Sequence, residues 1–228
     1  LVLALNAWAS RLRELRRSLA VVSSDLIATE PIPERLDALG WRDGVCISDS
    51  RLLAHYYRTT VDGRVVFGRS LARLAFANRI DGARFNGDSP GGDQVAASFH
   101  GMYPSLADVP IVRSWTGPVD RPLLGVASFS RLGGRPDILY GAGYSGSGVA
   151  QSHVGARILA SLALGADDEW SRSGMTQGFE GTYPPEPVRF LGGILVRKAV
   201  YRKEAAQDAG RAPDLVTRGI ARLAPAGL

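Results

Sequence analysis

The chain has 228 residues, 45% hydrophobic and 21% charged, with one cysteine and a formal net charge of +5. That is enough chain to bury a core without disulfide or metal staples, and Cys46 alone excludes an internal disulfide framework and every multi-cysteine metal site. The basic residues are spread from Arg11 to Arg222, with Lys198 and Lys203 the only lysines, so the charge lacks the clustered basic stripe of a nucleic-acid surface.

Residues 1–5, an uninterrupted aliphatic run, predict a short buried strand of a parallel sheet. The run is far shorter than the ~18 residues of a membrane span and lacks the charged flank of a signal peptide. The expectation is therefore a cytoplasmic protein with no membrane partner. A chain that opens on leucine, directly in a strand, reads as a piece whose upstream part is missing. Asn6, Ala7 and Trp8 turn the chain. Leu12, Leu15 and Leu19 then alternate with Arg11, Arg13, Arg16 and Arg17, which predicts a helix or helical turn over 12–19 with a solvated basic face.

A strand at 20–22 and a second extended piece at 25–29 follow, ended by Pro31 and Pro33. Residues 55–60 and 65–68 flank an Asp62-Gly63 turn with aromatic and β-branched side chains, a hairpin signal. Helices are expected over 69–76 and 94–100, separated by a Gly/Asp/Pro-rich loop at 81–93. Strands are expected at 110–115 and 123–129. No internal repeat and no linker between independent domains is visible.

Residues 137–140 form a strand that runs into glycines at 141, 143, 146 and 148. Val154, Ile158, Leu159 and Leu162 give residues 149–164 helical spacing, with Gly165 as the cap. Strand, glycine turn and helix start gather backbone N–H groups and the positive helix end at one point, suited to an electron-rich group. The same pattern also serves a tight connection with no ligand. It is not the dinucleotide fingerprint, whose turn belongs to a first βα unit with an acidic residue on a second strand, because here the helix runs into the acidic loop Asp167-Asp168-Glu169 and the end region of the chain; nor is it a P-loop. His55, His100 and His153 have no metal-ligand spacing, so no metal is expected. No serine sits in a nucleophile elbow, which argues against hydrolysis.

Several separated pieces, in order, resemble the FAD-dependent oxidoreductases of the D-amino-acid oxidase superfamily, in particular the γ-glutamylputrescine oxidase-like branch. They are LALNAW at 3–8, IATEPIP at 27–33, HYYRTTVDGRVVFG at 55–68, WTGPVDRPLLG at 115–125, GYSGSGV at 143–149 and PPEPVRFLG at 184–192. Family members open on a GxGxxG fingerprint, which is absent here, so the resemblance is to the C-terminal half. It implies an α+β chain: a mixed or antiparallel substrate-domain sheet with helices, plus the C-terminal portion of a split FAD-binding α/β domain. The implied division is 1–20 as the end of the FAD-binding domain, 21–120 as the substrate domain, and 121–228 as the return to the FAD-binding domain and the C-terminal segment.

The resemblance also implies FAD as cofactor, a small amine or amino acid as substrate, and oxygen or another electron acceptor as partner. The implied cofactor contacts are Asn6, Ala7, Trp8, Trp115, Gly117, Gly143, Tyr144, Ser145, Gly146, Ser147, Gly148 and Val149. Tyr57, Arg58 and Tyr144 are the implied substrate contacts; no catalytic side chain is implied, because the flavin carries the hard chemistry. Cross-strand packing of Tyr57 and a surface role for Arg58 remain the alternative for those two. Two departures stand out. Related oxidases read Gly-His-Gly where this chain has Gly146-Ser147-Gly148, and sarcosine oxidase-like members carry a lysine where Ala150 stands, which points toward an amine. A truncated enzyme, inactive by itself, and a non-catalytic module that keeps the fold without flavin are the two readings.

Overall fold

The computed structural model describes residues 1–41, 43–70, 72–81 and 85–225. In chain order the strands are β1 (Val2–Leu3), β2 (Leu19–Thr29), β3 (Ile47–Ser48), β4 (His55–Thr59), β5 (Val65–Arg69), β6 (Ile111–Pro122), β7 (Ser128–Leu132) and β8 (Arg135–Ala142). The α-helices are α1 (Pro33–Ala38), α2 (Gly92–Met102), α3 (Gly148–Leu164), α4 (Val188–Asp208) and α5 (Leu215–Ala221). The architecture is α+β, with one mixed and one larger sheet. Two compact units divide the chain: Leu1–Val22, Arg73–Ile80 and Pro118–Leu228 form the first, Ser23–Ala72 and Asp81–Gly117 the second.

The first unit contains a sheet in the order β1-β8-β7. β7 and β8 form an antiparallel hairpin, turned at Gly134 with φ +75°, a backbone that glycine adopts without strain. β1 runs parallel to β8, with Val2 opposite Leu139 and Leu3 opposite Tyr140. One face packs Leu132, Ile138, Tyr140 and Ala142 against Ala9, Leu15 and Leu19. On the other lie Phe129 and Leu139 with Ile158 and Leu159 of α3. The helix stops where Gly165 takes φ +66° and its N–H bonds to the carbonyl of Leu162, a left-handed cap.

The second unit holds its part of the sheet β3-β4-β5-β2-β6. Tyr57 lies opposite Phe67, and Phe67 opposite Ile27; Tyr56, Gly68 and Leu26 are the matching residues of the next row. Side chains alternate across a strand, so Tyr57, Phe67 and Ile27 share one face and Tyr56, Gly68 and Leu26 the other. Phe99 of α2 covers the first face, its ring 5.6 Å from Phe67.

Several expectations need correction. The run at 1–5 is a strand only at Val2–Leu3 and is not buried, Leu1 being 76% and Val2 47% exposed; β1 is an edge strand with β8 as its one neighbour in the described sheet. A short 3-10 helix covers Asn6–Arg11, and of the expected helix at 12–19, residues 12–18 form a bend and turns while Leu19 opens β2. The carbonyls at the end of the segment are held by distant donors: Arg189 and Asn78 donate to those of Arg16 and Leu19, and Tyr183 N–H to that of Arg17. The two extended pieces at 20–22 and 25–29 are one strand, because the polar interruption is satisfied in place by a bond from Ser23 Oγ to Asp25 Oδ2 and one between Ser24 Oγ and Tyr56 Oη.

The expected helix at 69–76 is also absent among the described residues; Leu71 and residues 82–84 of the following loop lie outside them. Pairing with His55 extends β5 to Arg69, and Ala72, Ala77 and Asn78 take positive φ, which a right-handed helix excludes. Helix α2 appears where 94–100 predicted it. The strand expected at 110–115 continues to Pro122, and that expected at 123–129 begins only at Ser128. Helix α4 escaped notice because Gly192 and Gly193 interrupt its apolar spacing; Gly193 is required where Leu74 packs, 2.9 Å from the position of an added Cβ.

Candidate functional site

In the first unit, β1 and β8 run side by side in the same direction, so the segments that leave their C-terminal ends emerge at the same end of the sheet. Those segments are Asn6–Arg11 and residues 143–149. This brings the expected contacts Asn6, Ala7 and Trp8 to the same end as the glycine turn. Open α/β sheets bind ligands at that end. Asn6 takes φ +47° and is exposed with Trp8, while Ala7 is buried beneath them.

The turn is built from below by one carboxylate. Asp120 is 1% exposed; its Oδ2 accepts from Gly143 N–H at 2.5 Å and its Oδ1 from Tyr144 N–H at 3.1 Å. Its backbone carbonyl accepts from Ser145 N–H at 3.1 Å. Three successive peptide N–H groups thus point inward to one residue. Burial pushes the Asp120 carboxyl up to about 6, against the pull of these N–H bonds. Ser145 takes φ +54° and Gly146 φ +91°, which swings the chain into α3. Beyond that point the N–H groups of Gly146, Gly148 and Val149 find no backbone acceptor among the described residues, and Val149 is 97% exposed. Ser147 precedes the helix without capping it through its side chain. The result is an open row of donors at the positive end of a 17-residue helix.

The glycines of this stretch are glycines for different reasons. A Cβ on Gly143 would lie 2.6 Å from Phe179, one on Gly141 3.0 Å from Phe129, and one on Gly155 2.1 Å from Phe129. These three are demanded by the protein's own packing. Gly146 needs its positive φ. Gly148 needs neither: a Cβ there would stand no closer than 3.6 Å to Tyr144, an ordinary contact, and its φ is not in the left-handed region. A missing Cβ with no internal cause, beside free N–H donors, fits a cradle for a group approaching the backbone closely.

The ring of Tyr144 turns back into the unit, 5.7 Å from Phe129 and edge-on to it, and burial, with the Asp120 charge, raises its hydroxyl. Trp115 and Gly117 lie on β6 within the second unit; Trp115 is exposed, and Gly117 has open space where a Cβ would be. Tyr57 sits in an aromatic cluster of that unit, stacked on Phe67 at 5.3 Å and edge-on to Trp41 and Tyr103. Arg58 is exposed, its Nε donating to the carbonyl of Thr59. Tyr56, which the sequence did not single out, covers Gly68 on the opposite face. Asp120 stands within the stretch at 115–125, but its partners lie more than twenty residues further along the chain, so no local spacing announces its role.

Among the described residues there is no group of three or more His, Cys, Asp or Glu able to hold a metal ion, and no helix long and apolar enough to cross a membrane. The family model described as FAD dependent oxidoreductase (DAO) matches residues 1–162. The chain belongs to that family. Its sequence is 32% identical over 178 residues to a probable oxidoreductase OrdL of Haemophilus influenzae, covering 75% of this chain and 37% of that protein. It is 30% identical over 152 residues to the gamma-glutamylputrescine oxidoreductase of Escherichia coli, covering 67% of this chain and 33% of that one. The chain thus spans about a third of the length of these relatives.

Among solved structures, glycine oxidase from Geobacillus kaustophilus superposes with a TM-score of 0.59 at 17% identity, over 79% of this chain and 45% of that one. A fructosyl peptide oxidase gives 0.61 at 11% identity, over 78% and 46%. At such identity the likeness is one of fold. The α+β architecture is that of the DAO flavoenzymes, whose cofactor is FAD.

Proposed function

We propose that this chain is the C-terminal part of an FAD-dependent oxidoreductase acting on a carbon–nitrogen bond of an amine or amino acid, with the flavin seated on residues 143–149. The observation that carries the reading is the turn itself: free N–H groups of Gly146, Gly148 and Val149 at the start of α3, with Gly148 lacking a Cβ for no internal reason. Bound there, FAD would supply the acceptor for a hydride from the carbon next to nitrogen. The donors and the helix end would stabilise negative charge on the ring edge. Asn6, Ala7 and Trp8, at the same end of the sheet, are assigned to the cofactor as well; so are Trp115 and Gly117 of β6.

Substrate contacts are assigned to Tyr57, Arg58 and Tyr144. Ala150 in place of a lysine removes a carboxylate anchor near the turn, and an unpaired carboxylate is costly to desolvate. That favours an amine over sarcosine or glycine. Arg58 would pair with a more distant acidic group, the kind carried by the substrate that names the gamma-glutamylputrescine relative.

The test uses the full-length protein. Gly148→Val is expected to leave the fold intact, because a Cβ there would come no closer than 3.6 Å to its neighbours, and to abolish retention of FAD. A Gly148→Val protein that still purifies with reducible flavin removes the turn from the site. Anaerobic flavin reduction is expected to be faster with putrescine or a γ-glutamylated amine than with sarcosine or glycine; the reverse order refutes the amine assignment.

A further inference from the structure

We infer that Asp120 is a positioning residue for the cofactor-binding turn: its carboxylate, by holding the N–H groups of Gly143 and Tyr144 inward, directs those of Gly146, Gly148 and Val149 outward to the ligand. The inference rests on the proposed seat of the flavin at residues 143–149. Asp120 itself makes no ligand contact in this scheme and acts through the backbone it holds.

The geometry leaves the side chain little other work. Asp120 sits within β6, yet its two carboxylate oxygens accept from the N–H groups of the first two residues after β8. Arg121 follows it, and the Arg121 Nε is buried without a hydrogen-bond partner among the described residues. A carboxylate this buried is costly unless its oxygens are satisfied, and here the satisfying groups are turn amides. A neutral acceptor in a strand could hold one such N–H. Two oxygens fixed on one planar group hold two consecutive peptides at once, and the Asp120 carbonyl adds the third at Ser145. With three inward N–H groups fixed, positive φ at Ser145 and Gly146 sends the next donors the other way.

The charge has a second effect. A negative group on the inner side of the turn opposes negative charge gathering on a flavin at its outer side, so removing it should make an anionic flavin easier to form. A purely structural brace would not move that property at constant occupancy.

The experiment compares Asp120→Asn and Gly148→Val with the wild type in the full-length flavoprotein. Asp120→Asn keeps one acceptor oxygen and loses the charge. It is expected to weaken FAD binding at least tenfold. In the fraction that still carries flavin, the dissociation constant of the sulfite adduct, which places negative charge on the ring, is expected to fall at least threefold. Unchanged FAD affinity and unchanged sulfite affinity in Asp120→Asn, while Gly148→Val loses flavin, overturn the inference and leave the seat of the flavin standing. Retained flavin in Gly148→Val overturns the seat and the inference with it. Amide exchange in the flavin-free wild type supplies an arm that needs no variant: Gly143 and Tyr144 are expected to exchange at least tenfold more slowly than Gly146 and Gly148. Equal rates overturn the clamp even if Asp120→Asn fails to fold.

Discussion

Phe129 of β7 lies against the backbone of Gly155 in α3, so closely that a Cβ on Gly155 would stand 2.1 Å from the ring. The contact fixes how near the helix sits to the sheet, and with it where the helix begins at the glycine turn. Gly155→Ala must therefore either displace Phe129, which is fully buried, or lift the helix. Overpacking of this kind costs about 1–3 kcal/mol, more than the ~1 kcal/mol that alanine returns through helix propensity. Gly148→Ala has no such conflict and gains the propensity alone. Thermal unfolding is expected to place Gly155→Ala below the wild type and Gly148→Ala at or above it. An order with Gly148→Ala the lower would mean that its glycine serves the fold.

Tyr57 and Arg58 are adjacent on β4 but point to opposite faces. Tyr57→Ala removes a ring stacked on Phe67 and edge-on to Trp41 and Tyr103, a loss of about 3 kcal/mol. Arg58→Ala, at an exposed position, should change stability by less than about 0.5 kcal/mol. Its effect belongs to function: a higher KM for an acidic substrate with kcat kept. Chemical denaturation of both variants, with steady-state kinetics on Arg58→Ala, separates the roles. An Arg58→Ala protein indifferent to substrate charge returns Arg58 to the surface.

What could be read in the sequence was what local spacing encodes. The hairpin of β4 and β5 followed from Asp62-Gly63 between β-forming runs, and α3 from Val154, Ile158 and Leu162 ahead of Gly165. The resemblance drawn from six short pieces led to the family that the match over residues 1–162 establishes. What could not be read depends on distant partners. The carbonyls of Arg16 and Leu19 are held by Asn78 and Arg189, which lie 59 to 173 residues away. Asp120 finds its amides across 23 and 24 residues. Nor does the sequence say which glycines answer to packing and which do not; only the environment of Gly141, Gly143 and Gly155 sets Gly148 apart.

Arg189 and Glu186 form a largely buried ion pair, 2.7 Å between Nη2 and Oε1. Glu186 also accepts from the N–H groups of Ala77 and Phe190, and Arg189 donates to the carbonyls of Arg16 and Leu19. Burial works to raise the Glu186 carboxyl, but the guanidinium and these N–H groups outweigh it and hold it below the usual carboxylate range. Its contribution is thus present above the unfolded carboxyl's range and is lost as pH falls through the folded one. Arg189→Met leaves the Glu186 carboxylate without its cation, while Asn78 still donates to the two carbonyls; the expected loss is about 3–5 kcal/mol. Urea unfolding at pH 7 measures it; a loss under about 1 kcal/mol would make the pair no better than a surface contact.

Asp120 has the opposite sign. Its folded carboxyl is pushed up to about 6 from an ordinary 3.8, chiefly by burial, so the folded chain holds a proton that the unfolded chain has released between roughly pH 4 and 6. Stability from this group is fully present below that window and falls as pH rises through it. A shift of about two units corresponds to about 3 kcal/mol. Arg121 and Tyr144 are the charged and titratable groups facing it among the described residues, and burial raises the tyrosine hydroxyl; neither changes charge between pH 4 and 7. Asp120→Asn cannot titrate, while every other carboxylate is shared with the wild type and cancels in the difference. The variant is therefore expected to be the less stable protein at pH 4, having lost one turn bond. It should gain on the wild type by up to about 3 kcal/mol as pH rises to 7. Unfolding free energies of both proteins at pH 4, 5, 6 and 7 decide the matter: parallel curves would mean that Asp120 stays ionised throughout, its charge held by the amides of Gly143, Tyr144 and Ser145 against the burial that raises it.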